Sequence, residues 1–122
     1  RVAKARGRSY SPDPNLEAGF FYRADHFAFA RLGVPAITIG PGLDTLDGGV
    51  EAGRALREKY FKDCYHQPCD AWTPSWDPAG HAADTLLVYD LGLELANSRT
   101  WPTWEDGSEF RKARQQSEAA RR

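Results

Sequence analysis

DHFAFARLGVPAITIG, residues 25–40, is the part of the chain that says most about its fold class. Its first half has the apolar spacing of a short helix over residues 25–32, and Gly33 is suited to end that helix. Its second half, residues 34–39, is a short β-branched apolar run that ends at Gly40. A strand that is apolar on both faces and follows a helix is typical of a sheet covered by helices. The stretch therefore predicts a buried strand in a sheet that helices cover.

The other elements are indicated by capping residues, glycines and charge. Residues 2–6 have the pattern of a helix that stops at Gly7, and residues 51–62 that of a short charged helix. Asp77 can cap a further helix, with Pro78 in its first turn and a wide leucine face to about residue 97. The remaining segments are a glycine-rich surface loop at 40–49 and a C-terminal arm at 99–122, with a solvated helix from 109 to 122.

Size and charge limit the classes of function. The 122 residues are enough for one domain with a core, and a net charge of −1 gives no reason to expect a nucleic-acid partner. No apolar run approaches the roughly 20 residues that span a bilayer. The chain begins at Arg1 and contains no methionine, so we expect its start to be a cut, with any export signal upstream.

Two cysteines, Cys64 and Cys69, flank His66 and allow three interpretations. They could be free thiols in a loop, or a disulfide that closes a small loop and indicates an oxidising compartment. They could also bind zinc together with His66, since structural zinc prefers sulfur and nitrogen ligands. The C-x-H-x-x-C spacing matches no common zinc knuckle, and no second cluster supplies a fourth ligand. The sequence leaves all three interpretations open.

His66 is the first candidate for chemistry, because it lies on a proline-stiffened turn after Tyr65 and before Asp70. A neutral imidazole in such a turn can bind a metal ion or a reacting group. The carboxylate of Asp70 or Asp25 could accept its second N–H and orient the ring. A loop histidine that only satisfies backbone groups is the alternative interpretation.

Asp25 and His26 are the second candidate pair, at the start of the predicted helix. Asp25 is a good N-cap there, and His26 would lie where free backbone N–H groups favour an anion or a developing oxyanion. Arg23 adds a cation with fork geometry. A capped, solvated helix end is the alternative interpretation.

Several motifs, taken in order, resemble the late segments of bacterial M28 peptidases, which are zinc aminopeptidases. The motifs are Pro12-Asp13-Pro14, Phe21-Tyr22-Arg23-Ala24-Asp25-His26-Phe27, Gly33-Val34-Pro35-Ala36, Gly40-Pro41-Gly42, Tyr65-His66-Gln67-Pro68 with Asp70, Trp101-Pro102-Thr103-Trp104 and Gly107-Ser108-Glu109-Phe110. The resemblance implies that residues 1–122 are the C-terminal part of a peptidase domain. The implied fold is the three-layer α/β zinc-exopeptidase fold, a mixed sheet flanked by helices. This chain would supply one or two of its strands and the closing helices.

The resemblance also implies roles for individual residues. His66 corresponds to the last histidine ligand of a site for two zinc ions, and Asp70 would orient it. Tyr65 corresponds to a tyrosine near the substrate, where its phenol could help to hold a tetrahedral intermediate. Asp25 and His26 correspond to a catalytic segment beside the metals. The residues expected to border the substrate are Arg23, Gly40 and Gly42.

The activity implied is that of a metallo-aminopeptidase, a hydrolase that removes N-terminal residues from peptides with zinc-activated water. Relatives suggest a periplasmic or secreted location. The other metal ligands and a general-base glutamate are expected upstream of Arg1, so we expect this chain alone to be inactive and to bind little zinc. An exposed sheet edge would favour self-association or domain swapping.

Two alternatives to a catalytic part remain. One is a non-catalytic member of the same fold that serves in binding or scaffolding. The other is a small zinc-stapled module built on Cys64, His66 and Cys69.

Overall fold

A computed structural model describes residues 1–121 as helices joined by long loops. Its α-helices are α1 (Val2–Ala5), α2 (Phe27–Ala30), α3 (Gly49–Asp63), α4 (Ala79–Ala96) and α5 (Arg111–Gln116). Short 3₁₀ helices cover Leu16–Ala18, Phe20–Arg23 and Glu118–Arg121. The helix predicted over 109–122 is thus realised as α5 and a 3₁₀ helix, while Arg122 lies outside the described residues.

The predicted α/β fold with its mixed sheet is wrong for the described residues. Residues 34–39 form an extended loop instead of a strand, with Val34 44% and Ile37 64% exposed. The β-structure present within residues 1–121 is an isolated bridge between Thr45 and Gly49. A strand is stable only when a neighbouring strand pairs with its backbone groups, and Pro35 also removes one donor from this run. The run has the composition of a strand but no partner.

The chain divides into two compact units, which are described separately. The first unit comprises Arg1–Ser11 and Gly40–Asp90. The second unit comprises Pro12–Ile39 and Leu91–Arg122.

In the first unit, ion pairs and a helix cap hold the ends of the helices. Arg6 Nε donates to Asp90 Oδ2 at 2.5 Å, which fastens the end of α1 to α4. The carboxylate of Asp77 accepts a hydrogen bond of 2.9 Å from the backbone N–H of Ala79, so its predicted capping role is confirmed. The charged helix predicted over 51–62 is confirmed as α3 and is slightly longer.

In the second unit, aromatic rings provide the packing. Phe21, Phe27 and Trp104 all contact Phe110, with ring centroids 5.0 to 6.2 Å apart. The helix predicted over 25–32 is realised only as α2. Gly33 then adopts a φ of +85°, so its predicted role as the helix stop is confirmed.

Little apolar surface is covered within these units. Ala30 is the one buried apolar side chain among residues 1–121. Helix α4 is rich in apolar residues but also carries Asp84, Asp90 and Glu94. Several of its large apolar side chains are about half exposed: Leu86, Val88, Tyr89, Leu93 and Leu95. None of the helices in the described part of the chain has the length and apolar character needed to cross a membrane.

Candidate functional site

The turn that follows α3 presents His66 in an unusual backbone conformation. The N–H of Gln67 donates to the carbonyl of Cys64 at 2.9 Å, which closes a turn with His66 at its third position. His66 has a φ of +58°. Among residues 1–121, it is the only residue other than glycine with a positive φ. Glycine or asparagine usually fills this position, because a side chain here crowds the backbone. A residue in this conformation costs free energy and persists where the surrounding structure fixes it.

Asp70 ties the turn together through one carboxylate oxygen. Its Oδ2 accepts a hydrogen bond of 2.9 Å from the hydroxyl of Tyr60 and a longer one, at 3.5 Å, from the backbone N–H of His66. The hydrogen bond from Tyr60 to this carboxylate raises the pKa of the Tyr60 phenol. Asp70 therefore contacts the main chain of His66. The sequence predicted that Asp70 would accept from the imidazole N–H, and within the described residues it does not.

Aromatic contacts run from α3 to the imidazole. The ring of Tyr60 meets that of Tyr65 edge-on, with centroids 5.8 Å apart. The Tyr65 ring stacks on the His66 imidazole, with centroids 3.9 Å apart and an interplanar angle of 21°. His66 itself is exposed, whereas Tyr65 is half-buried. Tyr65 thus covers one face of the imidazole and leaves the rest open to solvent.

A disulfide between Cys64 and Cys69 spans this turn and encloses His66. The interpretation of the cysteines as free thiols is therefore wrong, and the disulfide interpretation is confirmed. Zinc binds cysteine as the thiolate, and these two sulfurs are bonded to each other. The small zinc module of Cys64, His66 and Cys69 is therefore wrong as well.

The second candidate pair lies in the second unit. His26 Nε2 is 3.5 Å from the hydroxyl oxygen of Thr38, and its ring lies 4.6 Å from that of Phe21. Asp25 is exposed and does not cap α2, which begins at Phe27 with His26 before it. The prediction that Asp25 is the N-cap is wrong, because the backbone carbonyl of Ala24 accepts from the N–H of Phe27 in its place.

The residues predicted to border the substrate are all exposed. The guanidinium carbon of Arg23 lies 5.6 Å from the centre of the Phe20 ring. Gly40 and Gly42 belong to the loop that precedes α3 in the first unit. Tyr65, His66 and Asp70 are also in the first unit, while Arg23, Asp25 and His26 are in the second. Their common role in one site stays a prediction.

Comparison with known proteins identifies the family. The family model described as peptidase family M28 matches residues 1–90. The chain belongs to peptidase family M28. No curated protein and no solved structure matches it. All the predicted site residues fall inside the matched range, whereas the motifs at 101–104 and 107–110 lie beyond it. Membership of this family supports a peptidase, which hydrolyses peptide bonds, as the protein's general role.

Peptidase family M28 is generally zinc-dependent. A catalytic zinc ion takes three protein ligands and keeps one open position. Residues 1–121 contain no group of three or more His, Cys, Asp or Glu side chains placed to hold a metal ion. His66 alone, with its disulfide-bonded neighbours, does not satisfy this requirement. The described residues therefore do not form a zinc site by themselves.

Sequence reasoning missed one residue that holds the His66 turn in place. Tyr60 is not among the site residues predicted from the sequence, yet its hydroxyl donates to Asp70 and its carbonyl accepts from the N–H groups of Cys64 and Tyr65, both at 2.9 Å. The sequence does contain a signal, since Tyr60 lies in the last turn of a predicted helix that leads directly into the His66 turn. That signal did not distinguish a hydrogen-bonding tyrosine from a packed one.

Proposed function

We propose that this chain contributes one part of the active site of a zinc-dependent aminopeptidase, with His66 as a metal ligand. The remaining ligands and the general base would come from polypeptide outside residues 1–121. Tyr65 would lie beside the substrate, Asp25 and His26 would serve in catalysis, and Arg23 would serve in substrate binding. The chain on its own is then inactive.

The observation that supports this proposal is the conformation of His66. An exposed histidine in the left-handed region costs free energy, and it persists when the surrounding structure fixes it. Here a disulfide, a carboxylate and a stacked tyrosine all act on the same turn. The family match supplies the chemistry, since a neutral imidazole is the commonest metal ligand in proteins.

Metal content and turnover test the proposal in two preparations. The purified chain, dialysed at neutral pH, should hold almost no zinc by elemental analysis and should not release p-nitroaniline from amino-acid p-nitroanilides. A full equivalent of zinc or measurable turnover would contradict the proposed division of the site.

The complete peptidase supplies the second preparation. The His66→Ala variant should lose zinc and aminopeptidase activity. His81→Ala, which removes an exposed histidine of α4, is the matched control and should retain both. Unchanged zinc and activity in His66→Ala would refute the role of His66.

A periplasmic or extracellular location is part of the proposal. The Cys64–Cys69 disulfide supports it, because such bonds persist mainly in oxidising compartments. Trapping of free thiols in intact cells, followed by cell fractionation, should find both cysteines oxidised outside the cytoplasm. Reduced cysteines in a cytoplasmic fraction would exclude this location.

A further inference from the structure

Tyr60 is linked to the turn that carries His66 through both its main chain and its side chain. Tyr60 lies in the last turn of α3, and its backbone carbonyl accepts from the N–H groups of Cys64 and Tyr65. These two bonds end the helix and set the direction in which the chain enters the turn. The main chain of Tyr60 therefore fixes one end of the segment that carries His66.

The side chain of Tyr60 fixes the other end of that segment. Its hydroxyl donates to Asp70 Oδ2 at 2.9 Å, and the same oxygen accepts from the backbone N–H of His66. The N–H of Asp70 in turn donates to the carbonyl of Gln67 at 2.9 Å, which fixes the main chain of Asp70. Asp70 thus connects the phenol of Tyr60 to the amide of His66.

We propose that Tyr60 is a positioning residue for His66, acting through the carboxylate of Asp70. The hydroxyl of Tyr60 holds Asp70 Oδ2 where it meets the His66 N–H, and this keeps His66 in its left-handed conformation. The stack of Tyr65 on the imidazole then fixes the direction of the ring. This role gains its catalytic meaning from the proposed function, but the positioning itself is a property of the turn.

Tyr60→Phe isolates the hydroxyl, because it keeps the ring that contacts Phe61 and Tyr65. In NMR spectra of the labelled chain, the His66 amide and Cα resonances should move. Exchange of the His66 amide hydrogen should become faster by about tenfold, while that of the α3 interior stays unchanged. Tyr89→Phe removes a hydroxyl from an exposed tyrosine on α4 and should leave His66 unchanged.

A double-mutant cycle tests the connection through Asp70. Asp70→Ala should perturb His66 as Tyr60→Phe does, and Tyr60→Phe should have no further effect in that background. Additive effects, or His66 resonances unchanged in Tyr60→Phe, would overturn the proposal. So would a change spread equally over all amides, which indicates general destabilisation.

The two proposals can fail separately. If His66 is not a metal ligand, His66→Ala keeps its zinc in the complete peptidase while the NMR cycle still shows coupling. If Tyr60 does not position His66, the coupling is absent while the zinc result stands.

Discussion

The indole N–H of Trp104 donates a hydrogen bond of 3.1 Å to the backbone carbonyl of Gly33. Gly33 is buried at a φ of +85°, three residues after the end of α2. A Cβ atom at this position would lie 2.3 Å from the backbone nitrogen of Arg114. The close approach of Gly33 to the backbone of Arg114 therefore depends on the absence of a side chain at Gly33.

Gly33→Ala should lower the free energy of unfolding by roughly 2 kcal/mol or more, because it combines a positive φ with a backbone clash. Urea unfolding followed by tryptophan fluorescence measures the effect. Gly40→Ala is the matched control, since a Cβ there meets no atom within 4 Å. It should change stability by less than about 0.5 kcal/mol. Equal effects of the two substitutions would contradict the packing described for Gly33.

The sequence predicted features that local chemistry determines. Gly33 was predicted as a helix stop because glycine tolerates a positive φ, and Asp77 as a cap because its carboxylate reaches a nearby N–H. Asp25 has the same chemistry as Asp77 but does not cap α2. An aspartate that suits a helix start does not by itself determine where the helix begins.

Features that depend on a distant partner were less predictable. Residues 34–39 have strand composition, but a strand needs a neighbour, and no residue of the run specifies one. The link from Tyr60 to Asp70 joins residues ten apart in the sequence, so it depends on the intervening turn bringing residue 70 back to the end of α3. The family resemblance predicts His66 and Asp70 as site residues, whereas the contacts of Tyr60 are visible only in the folded turn.

Reduction of the Cys64–Cys69 disulfide should destabilise the turn that carries His66. The bond joins residues five apart, and the loop-closure entropy it removes corresponds to about 2 kcal/mol. Thermal unfolding with and without a dithiol, which converts the disulfide to two thiols as it is itself oxidised, should show a lower Tm on reduction. A Cys64→Ser, Cys69→Ser double variant is the control and should not respond to the dithiol. An unchanged Tm in the reduced wild type would contradict this prediction.

The ion pair between Arg6 and Asp90 should stabilise the fold at neutral pH, and this stabilisation should be lost in acid. The hydrogen bond from Arg6 Nε lowers the pKa of Asp90 below its ordinary value. Because the folded pKa is below the unfolded one, the stabilisation is present above the unfolded pKa and is lost as pH falls through the folded pKa. Carboxyl ¹³C NMR titration should show the low pKa of Asp90, and Arg6→Gln should raise it.

Lys4→Gln is the control for this titration. It removes a positive charge from the same helix, and Lys4 forms no ion pair within residues 1–121. It should leave the Asp90 titration almost unchanged. An equal rise of the Asp90 pKa in both variants would show that net charge, not the hydrogen bond from Arg6, causes the shift.

The purified chain should associate with itself through α4. A helix rich in apolar residues is most stable when other elements cover its apolar side chains, yet Leu86 and Leu93 of α4 are each 48% exposed. These two leucines lie seven residues apart and so project from the same side of the helix. Light scattering of the chromatographed chain should give a mass above that of one chain, and Leu86→Lys with Leu93→Lys should reduce it. Thr85→Lys adds charge at an exposed polar position of the same helix and should have little effect. A monomer at all concentrations in the wild type would contradict this prediction, because it would mean that the apolar surface of α4 needs no second copy to cover it.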